Sequence, residues 1–254
     1  MSSIEIIPCL SDNYAYIIKD EKTNKNILVD APEHVPIERY LDENGMSLDF
    51  VLITHHHSDH IDGINHLKLK YAPKIIGAKR DRHRLPQLDI EVEEGIELSI
   101  GSKKFDIYDV DGHTLGHIAY SLADDRALFT GDSLMVMGCG RLFEGTPDDM
   151  WKSLKKLKGL PEDIMIYSGH EYTKSNIEFA ITVDPKNEKL KARRIKELEQ
   201  IQKGLPTVPS TLRKELDTNP FLRESEMSIV DHLDMVNLDP ISRFAKIRAL
   251  KDNF

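Results

Sequence analysis

The sequence has few cysteines, a single tryptophan and no long apolar segment. Its 254 residues include two cysteines, Cys9 and Cys139. Two cysteines exclude a zinc site made of four thiolates, so any bound metal has to be held by histidines and carboxylates. The apolar runs are only a few residues long, whereas a membrane-spanning helix needs about 18 residues. We therefore expect no membrane partner.

The composition excludes other classes of protein. Hydrophobic residues make up 40% of the chain and charged residues 30%, a balance typical of a folded globular protein and not of a disordered or fibrous one. Near the N-terminus, Glu5 and Asp12 stand where a secretory signal would have a basic patch followed by an apolar run. The expected location is therefore the cytoplasm.

Positive charge is scarce in the first two thirds of the chain. The net charge is −9, but residues 1–172 contain 19 basic and 30 acidic residues, while residues 173–254 contain 15 basic and 13 acidic residues. Such an acidic region is a poor match for a phosphate backbone, so we expect no nucleic-acid partner.

The secondary-structure pattern changes at the same position in the chain. Up to Gly169, short β-rich segments are interrupted by helical ones, which predicts a layered α/β or α+β domain over residues 1–172. The predicted strands are 4–7, 14–18, 26–29, 50–54, 74–76, 105–110, 117–122, 127–130 and 164–167. Strand signals then stop, and residues 173–254 are predicted to form a smaller all-helical domain with helices near 173–183, 187–203 and 240–251.

One helix can be predicted from its end signals as well as from its apolar face. Thr146 is a suitable N-cap residue and Pro147 suits the first helical position. Gly159 then follows the last apolar residue of the pattern. These signals predict a helix over 147–158.

The helix near 187–203 is predicted from periodicity alone. Its apolar face would consist of Leu190, Ile195, Leu198 and Ile201. Charged residues, Glu197 among them, are expected on the other faces.

The most informative segment is a histidine-rich loop at residues 54–60. Its sequence is Thr-His-His-His-Ser-Asp-His, and it follows directly on an apolar strand. In an extended segment His55 and His57 point to the same side and can reach one metal ion. A turn at Ser58 lets Asp59 and His60 approach a second ion. The loop therefore predicts a metal site with room for two neighbouring ions.

Three other predicted strands end in residues of the same chemistry. They are followed by Asp111-Gly112-His113, by Gly131-Asp132 and by Ser168-Gly169-His170. The glycines allow the backbone to turn sharply and to pass close to an ion. Together with the loop, these segments supply five histidines and two aspartates, enough for two ions that share one carboxylate.

The remaining six histidines are predicted to have other roles. His34, His66, His83 and His232 are expected at the surface or in packing, His56 is expected to point away from the metal, and His117 to act beside the ligands and not as one of them. Cys139 is predicted to be a buried or loop cysteine, and a catalytic thiol is the alternative.

Several motifs resemble those of the glyoxalase II (hydroxyacylglutathione hydrolase) family, which is part of the metallo-β-lactamase superfamily. The loop at 54–60 indicates only the superfamily. The more specific segments are GHTLGH at 112–117, GDSL at 131–134, GCGRLFEG at 138–145, GHEYT at 169–173, NPFLR at 219–223 and RALKDNF at 248–254. The similarity extends over nearly the whole chain.

This resemblance implies a four-layer αββα sandwich for the first domain and a specific hydrolytic reaction. The family cleaves S-(2-hydroxyacyl)glutathione, in particular S-D-lactoylglutathione, to a 2-hydroxy acid and glutathione, the second step of methylglyoxal detoxification. The resemblance implies that His55, His57 and His113 bind one divalent ion and that Asp59, His60 and His170 bind another. Asp132 and a hydroxide would bridge the two ions, and Asp59, Asp132 and His170 would also be catalytic.

The resemblance further implies glutathione contacts from residues of both predicted domains. These residues are Arg141, Phe143, Tyr172, Arg248 and Lys251. Phe143 replaces the tyrosine found in some members, so a hydroxyl contact is absent at this position. From spacing alone, Arg248 and Lys251 would instead be interpreted as a solvated helix face.

The residues leave other functions open. An iron-dependent glutathione persulfide dioxygenase of the same fold generally uses one iron and lacks the complete second ligand set, whereas Asp59, His60 and His170 are all present here. A nuclease and a non-catalytic metal-binding protein are further alternatives. Histidine and aspartate accept zinc, iron or manganese, with zinc the preferred assignment. We expect a monomer.

Overall fold

A computed structural model describes residues 3–254 of the protein. The chain divides into two compact units, each made of two segments. The first unit consists of Met1–Asp109 and Gly116–Gly131, and the second of Val110–Leu115 and Asp132–Phe254. The predicted domain boundary after Tyr172 falls inside the second unit and stays a prediction.

The first unit contains a six-stranded mixed sheet with its strands in chain order. The strands are β1 (Ser3–Cys9), β2 (Asn13–Asp20), β3 (Lys25–Val29), β4 (Phe50–Leu52), β5 (Lys74–Ala78) and β6 (Ile90–Val92). The first three pair antiparallel, and β3 to β6 pair parallel. The parallel strands are almost wholly apolar because both faces of this sheet are covered.

Helices cover one face of this sheet. They are α1 (Val35–Glu43), which lies between β3 and β4 in the chain, and α2 (Ser58–Ile61) and α3 (Ile64–Tyr71), which lie between β4 and β5. Apolar side chains from strands and helices form one buried cluster, with Ile17 and Leu28 from the sheet and Ile37 and Leu67 from the helices. Since this burial supplies the main free energy of folding, it also fixes the ends of the strands that lead into the histidine-rich loop.

A second sheet lies against the other face. In this unit it contains the antiparallel strands β7 (Glu97–Ile100), β8 (Lys103–Asp109), β9 (Ile118–Leu122) and β10 (Ala127–Gly131). Tyr16 of the first sheet packs on Phe129 of the second, with ring centroids 5.6 Å apart. The Tyr120 hydroxyl donates to the Ile53 carbonyl at 2.9 Å. The first unit is therefore layered as helices, sheet and sheet.

The second unit is mainly helical. Its helices are α4 (Pro147–Lys158), α5 (Thr173–Val183), α6 (Glu188–Gln202), α7 (Leu212–Thr218), α8 (Met227–His232) and α9 (Pro240–Asp252). It also contains a small hairpin, β11 (Leu134–Met135) and β12 (Gly138–Cys139), and the antiparallel pair β13 (Met165–Ser168) and β14 (Ser210–Thr211). The bounds of α4 match the prediction, because Thr146 and Asp149 form a capping box at its start.

Several details of this unit differ from the sequence prediction, which did not include the β11–β12 hairpin or helices α7 and α8. Leu190 of α6 is buried as predicted, but Arg193 and Glu197 are buried as well and Ile195 is 60% exposed, so the predicted apolar face was wrong at Ile195 and Glu197. A buried charged cluster at this helix outweighs its apolar periodicity. The strand Ser210–Thr211 was also not predicted, because two residues carry no periodic signal.

Cys9 and Cys139 are both buried and free. Within residues 3–254, no helix is long and apolar enough to span a bilayer.

Candidate metal centre

The histidine-rich loop places several metal-binding side chains on one short stretch of backbone. Ile53 and Thr54 continue from β4, and His57 is the extended residue that precedes α2. The His55 ring lies 4.8 Å from the His57 ring and 4.1 Å from the His60 ring, measured between centroids. The loop therefore brings three imidazoles together.

Asp59 is held in this loop by a partner from the first sheet. Asn13 Nδ2 donates to the Asp59 carboxylate at 3.0 Å and to its backbone carbonyl at 2.9 Å. Asn13 is itself 4% exposed. This fixed geometry presents the carboxylate to the His60 ring, with Oδ2 3.8 Å from His60 Nε2.

Asp30 is a functional residue that sequence reasoning missed. It follows directly on β3, and its buried carboxylate accepts hydrogen bonds of 2.8 Å from Thr54 N, Thr54 Oγ1 and His60 Nδ1. The proton of His60 is therefore on Nδ1, which leaves Nε2 with the lone pair that binds metal. The available signal was an acidic residue at a strand end, the same feature that identified Asp132.

The His55 ring is also oriented by Asp30, through the Thr54 hydroxyl. Thr54 Oγ1 donates its proton to Asp30, so it accepts from His55 Nδ1, at 3.0 Å. The buried ring of His117 stacks on His55 with centroids 4.5 Å apart, and its Nδ1 donates to the Ile118 carbonyl at 3.1 Å. His117 thus packs beside a ligand, in the kind of role that the sequence predicted.

The backbone around this group is closely packed. Gly131 adopts a φ of +47°, and a Cβ atom there would lie 2.6 Å from Thr54 Oγ1 and 2.8 Å from the His117 ring. A side chain at this position would push the histidines out of place, so glycine is required by both conformation and space.

The second unit contributes three further ligand candidates. His113 Nδ1 donates to the Arg141 carbonyl at 2.8 Å, which directs Nε2 of the same ring toward Asp132. Asp132 Oδ2 lies 3.4 Å from His113 Nε2 and 3.2 Å from His170 Nε2. Two ligands of one ion, each bound at about 2.1 Å, have separations of this size. One carboxylate oxygen therefore stands beside two imidazole nitrogens at ligand spacing.

Three sets of side chains each offer ligand atoms that all lie within 4.8 Å of one another. They are His55, His57 and His113; His55, His60 and Asp132; and Asp59, His60 and His170. All seven ligands predicted from the sequence occur in these sets. Imidazole nitrogens and carboxylate oxygens are a donor set that divalent zinc, iron and manganese accept. The cluster is thus a divalent metal site.

Two of the predicted substrate residues are aromatic rings that pack on ligand histidines. The Phe143 ring meets the His113 ring edge to face, with centroids 5.3 Å apart. The Tyr172 ring stacks on His170 at 4.6 Å. Phe143 is 61% exposed and Tyr172 is 40% exposed, so both rings also present a face that a ligand can contact.

The predicted cationic residues differ in accessibility. Arg141 is largely exposed and its Nε lies 3.4 Å from Asp252. Arg248 is 5% exposed; its Nη1 donates to the Cys139 carbonyl at 3.0 Å and its Nη2 to Asp252 at 2.8 Å. Arg248 therefore does not belong to a solvated helix face, the alternative that spacing alone favoured.

Lys251 is half-buried near the end of α9. Its Nζ donates to Ser175 Oγ at 2.7 Å and to the Ser175 carbonyl at 3.0 Å. Burial, and then the neighbouring Arg248 charge, lower the pKa of Lys251 to about 8. Its positive charge is thus sensitive to pH close to neutrality.

Other histidines discussed in the sequence analysis, and Cys139, pack or pair with side chains that are not ligand candidates. His56 Nδ1 pairs with Asp81 at 3.2 Å, and His34 stacks on His66 at 4.0 Å. Burial raises the pKa of the Cys139 thiol to about 11, so the thiolate is scarce at neutral pH. This favours the buried cysteine over the catalytic thiol.

Comparisons with protein families match two parts of the chain. Residues 11–170 match the family described as the metallo-beta-lactamase superfamily. Residues 171–254 match the family described as hydroxyacylglutathione hydrolase C-terminus. The two matches adjoin and together cover most of the sequence.

Individual relatives match over almost the full length. The hydroxyacylglutathione hydrolase of Ruegeria pomeroyi is 54% identical over 252 residues, covering 99% of this chain and 98% of the relative. That of Roseobacter denitrificans is 49% identical over 248 residues, covering 98% and 97%.

Among solved structures, the similarity extends to more distant proteins. The BLEG-1 B3 metallo-beta-lactamase superposes with a TM-score of 0.67 at 20% identity, covering 87% of this chain and 99% of that one. ETHE1 from Myxococcus xanthus superposes with a TM-score of 0.65 at 24% identity, covering 99% and 98%. At such identities these two likenesses concern the fold alone.

Proposed function

Since this chain belongs to the hydroxyacylglutathione hydrolase family of the metallo-β-lactamase superfamily, we propose that its metal site hydrolyses the thioester of S-(2-hydroxyacyl)glutathione, with S-D-lactoylglutathione as the reference substrate. The products are a 2-hydroxy acid and glutathione. The predicted metallo-β-lactamase fold and the predicted metal-dependent thioester hydrolase are both confirmed.

The observation that carries the proposal is the position of Asp132. A single oxygen, Oδ2, lies within 3.4 Å of the Nε2 atoms of both His113 and His170. We assign His113 to one ion, with His55 and His57, and His170 to a second ion, with Asp59 and His60. Asp132 then serves as the shared ligand. Two of the three ligand sets correspond to these two groups of three side chains.

Hydrogen bonds within the chain orient the candidate ligand histidines before substrate binds. When bound, divalent ions in such sites supply hydroxide at neutral pH and polarise a carbonyl group. Asp30 holds the His60 ring and the Arg141 carbonyl holds the His113 ring, so each Nε2 is aimed without further rearrangement. A thiolate with a pKa of about 8.5 is a good leaving group, so no dedicated proton donor is required.

Side chains around the site suit the glutathione part of the substrate. Glutathione carries two carboxylates, which a strongly acidic protein repels unless cations are supplied locally. We propose that Arg141 and Lys251 supply accessible positive charge and that Arg248 adds to it from a buried position. Phe143 and Tyr172 cover the ligand histidines with apolar surface and limit the access of water.

We also propose the remaining features of the working enzyme. It contains two divalent ions, zinc in the first place and iron or manganese as alternatives. It acts as a monomer in the cytoplasm on a small-molecule substrate, without nucleic-acid or membrane partners. Residues 1–172 form its catalytic domain and residues 173–254 its helical substrate-binding domain.

The test is an assay of the purified protein with S-D-lactoylglutathione. We expect thioester loss that stops after chelation and returns when zinc is added back, with metal analysis on the same samples. Hydrolysis that persists in chelated, metal-free protein would contradict the proposal. Oxygen uptake with glutathione persulfide, in the absence of thioester cleavage, would instead support the dioxygenase alternative.

A further inference from the structure

A buried charged network lies in the second unit, apart from the metal ligands. Arg193 of α6 and Glu215 of α7 are 6% and 0% exposed. Arg193 Nη2 donates to Glu215 Oε1 at 2.7 Å, and Arg193 Nε donates to Glu197 at 3.1 Å. Buried charges are costly unless they are fully paired, so a role is expected for this cluster beyond filling space.

The network continues from the helices into the β11–β12 hairpin. Glu215 Oε2 accepts from the Met137 backbone amide at 2.7 Å. Asn219, which is fully buried after α7, donates from Nδ2 to the Met135 carbonyl at 3.2 Å and to the Gly138 carbonyl at 2.9 Å. The same Nδ2 also lies 3.1 Å from Glu215 Oε2. Glu215 of α7 thus holds the Met137 amide, and Asn219, the residue after α7, holds the two flanking carbonyls of the hairpin turn.

The turn needs such support because of its backbone conformation. Met137 has a φ of +52°, in the left-handed region that is unfavourable for a residue other than glycine. The hydrogen bond to Glu215 fixes the Met137 amide in this conformation. Glu215 is thus one of the side chains that hold this turn, together with Asn176 of α5, whose Nδ2 donates to the Val136 carbonyl at 3.0 Å.

The chain leads from this hairpin directly to the metal site. Gly140 N donates to the Asp132 carbonyl at 2.9 Å, and the next residue, Arg141, accepts at its carbonyl from His113 Nδ1 at 2.8 Å. A Cβ atom at Gly140 would lie 2.1 Å from the Asp132 carbonyl oxygen and 2.7 Å from His113 Nδ1. The backbone at Gly140 is therefore packed closely against Asp132 and the His113 ring.

We propose that Glu215 and Asn219 are positioning residues: by holding the β11–β12 turn, they set the Arg141 carbonyl that orients the His113 ring and place Phe143 over it. The inference rests on the proposed function only for its kinetic consequence. Its structural consequence concerns the conformation of residues 134–145 and the affinity for metal.

Glu215→Gln is the variant that separates this role from simple stability. The two oxygens of Glu215 each accept hydrogen bonds, from Arg193 and Ser210 on one side and from Met137 N and Asn219 on the other. A glutamine has only one oxygen, and the Arg193 charge attracts it. Its amide NH₂ then faces the Met137 amide and the Asn219 NH₂, so the turn loses its acceptor while the side chain keeps its shape.

The matched control is Glu197→Gln. Glu197 is 5% exposed and its carboxylate accepts from Nε of the same Arg193, at 3.1 Å, whereas the Met137 amide of the hairpin donates to Glu215. The Glu197→Gln substitution removes one negative charge from the same cluster. We expect it to lower the unfolding temperature by about as much as Glu215→Gln does. A purely structural role for Glu215 predicts the same behaviour in both variants.

Asn219→Ser is a second variant in case Glu215→Gln does not fold. Serine is as good a capping residue as asparagine, so it can still accept from Phe221 N, the bond that Asn219 Oδ1 makes at 3.0 Å. Its short hydroxyl cannot reach both hairpin carbonyls. The local fold around Pro220–Leu222 is therefore kept while the hairpin is released.

Three measurements on zinc-loaded protein test the inference. We expect faster amide hydrogen exchange in residues 134–145, weaker zinc retention against a chelator, and kcat/KM for S-D-lactoylglutathione lowered about 10- to 100-fold in Glu215→Gln and Asn219→Ser. Glu197→Gln should change none of these three by more than about twofold. Equal changes in Glu215→Gln and Glu197→Gln would overturn the proposal.

The failure of this inference can be distinguished from a failure of the proposed function. If the wild-type protein did not cleave the thioester, the exchange and zinc-retention measurements would still decide whether Glu215 holds the hairpin. If the wild-type protein cleaved it and the Glu215 and Asn219 variants matched the control, the positioning role alone would be wrong.

Discussion

Three of the candidate ligand histidines are fixed through Nδ1, which leaves Nε2 of each ring available to a metal ion. His60 Nδ1 is held by Asp30, His113 Nδ1 by the Arg141 carbonyl and His55 Nδ1 by Thr54 Oγ1. An acceptor at Nδ1 keeps the proton there and sets the ring angle. The site therefore depends on residues that do not themselves bind metal.

Asp30 provides the most direct test of this dependence. Asp30→Asn keeps a residue type that tolerates the left-handed φ of +57° at this position but removes the negative charge from the His60 and Thr54 bonds. We expect metal affinity to fall about 10- to 100-fold, since outer partners of ligand histidines contribute on this scale. Competition with a chromophoric chelator measures it. Asp42→Asn, at an exposed aspartate of the same unit, should leave metal affinity unchanged, and equal losses in both variants would contradict the account.

Lys251 should make substrate binding pH-dependent. Its pKa is lowered to about 8, so the side chain loses its positive charge as the pH rises through 8. We expect KM for S-D-lactoylglutathione to increase across this interval, because an attraction to the substrate carboxylates is lost. The measurement is KM as a function of pH between about 7 and 9. In Lys251→Gln the increase should disappear, and an unchanged pH profile in this variant would exclude Lys251 as its origin.

Helix ends that are set by neighbouring residues could be predicted from the sequence, whereas a helix face that is set by a distant partner could not. The bounds of α4 follow from Thr146, Pro147 and Gly159, which act within one turn of the helix ends. Helix α1 also has a proline in its first turn, but it has no side-chain cap and only Ile37 and Leu41 are buried, so its end signals are weaker. The prediction for the buried face of α6 was only partly right because Arg193 of this helix is buried and paired with Glu215, a partner 22 positions away. Periodicity cannot reveal such a pairing.

One carboxylate connects two turns of the first unit. Asp20, at the end of β2, accepts from Lys22 N in the β2–β3 turn and from Ser102 N and Oγ in the β7–β8 turn. Burial acts to raise the pKa of Asp20, but the hydrogen bonds from Ser102 and Thr23 outweigh it and hold the pKa well below its usual range. Asp20 therefore stabilises the packing of one sheet edge on the other mainly when it is ionised.

Asp20→Asn should consequently destabilise the protein in a pH-dependent way. We expect the free energy of unfolding to fall by about 2 kcal/mol near neutral pH, since hydrogen bonds to a charged acceptor are lost. A group with a lowered native pKa stabilises above its unfolded pKa of about 3.9, and this contribution is lost as the pH falls below that value. The difference between wild type and variant should shrink in acid. Denaturant unfolding at several pH values checks it, and a difference that does not change with pH would contradict it.

At the scale of the whole molecule, the metal site was more predictable than its surroundings. The seven ligand candidates stand in short motifs after strands, and the chain brings them within ligand distance in the three sets described above. Asp30, Asn13 and the Arg141 carbonyl were not predicted, because single polar residues and backbone atoms carry no motif. The contrast has a physical basis: metal binding requires a specific set of residue types, whereas an orienting hydrogen bond requires only an acceptor at the right point.

The net negative charge of the chain has a consequence for binding an anionic substrate. A net charge of −9 describes an acidic protein that has to attract an anionic substrate. The cations proposed for this purpose, Arg141, Arg248 and Lys251, all lie in the second unit. Neutralising Arg141 and Lys251 together should raise KM for the glutathione thioester about tenfold or more, while a small neutral thioester should be affected little. Equal effects on both substrates would exclude this role.

We propose that two divalent ions with Asp132 as their shared ligand would support the hydrolysis. A zinc titration of metal-free protein, in which bound zinc and the hydrolysis of S-D-lactoylglutathione are followed together, tests this most directly. We expect activity to reach its maximum only when two zinc ions are bound per chain, and we expect Asp132→Ala to bind less zinc and to stay nearly inactive. Full activity with one ion per chain, or undiminished activity in Asp132→Ala, would contradict it.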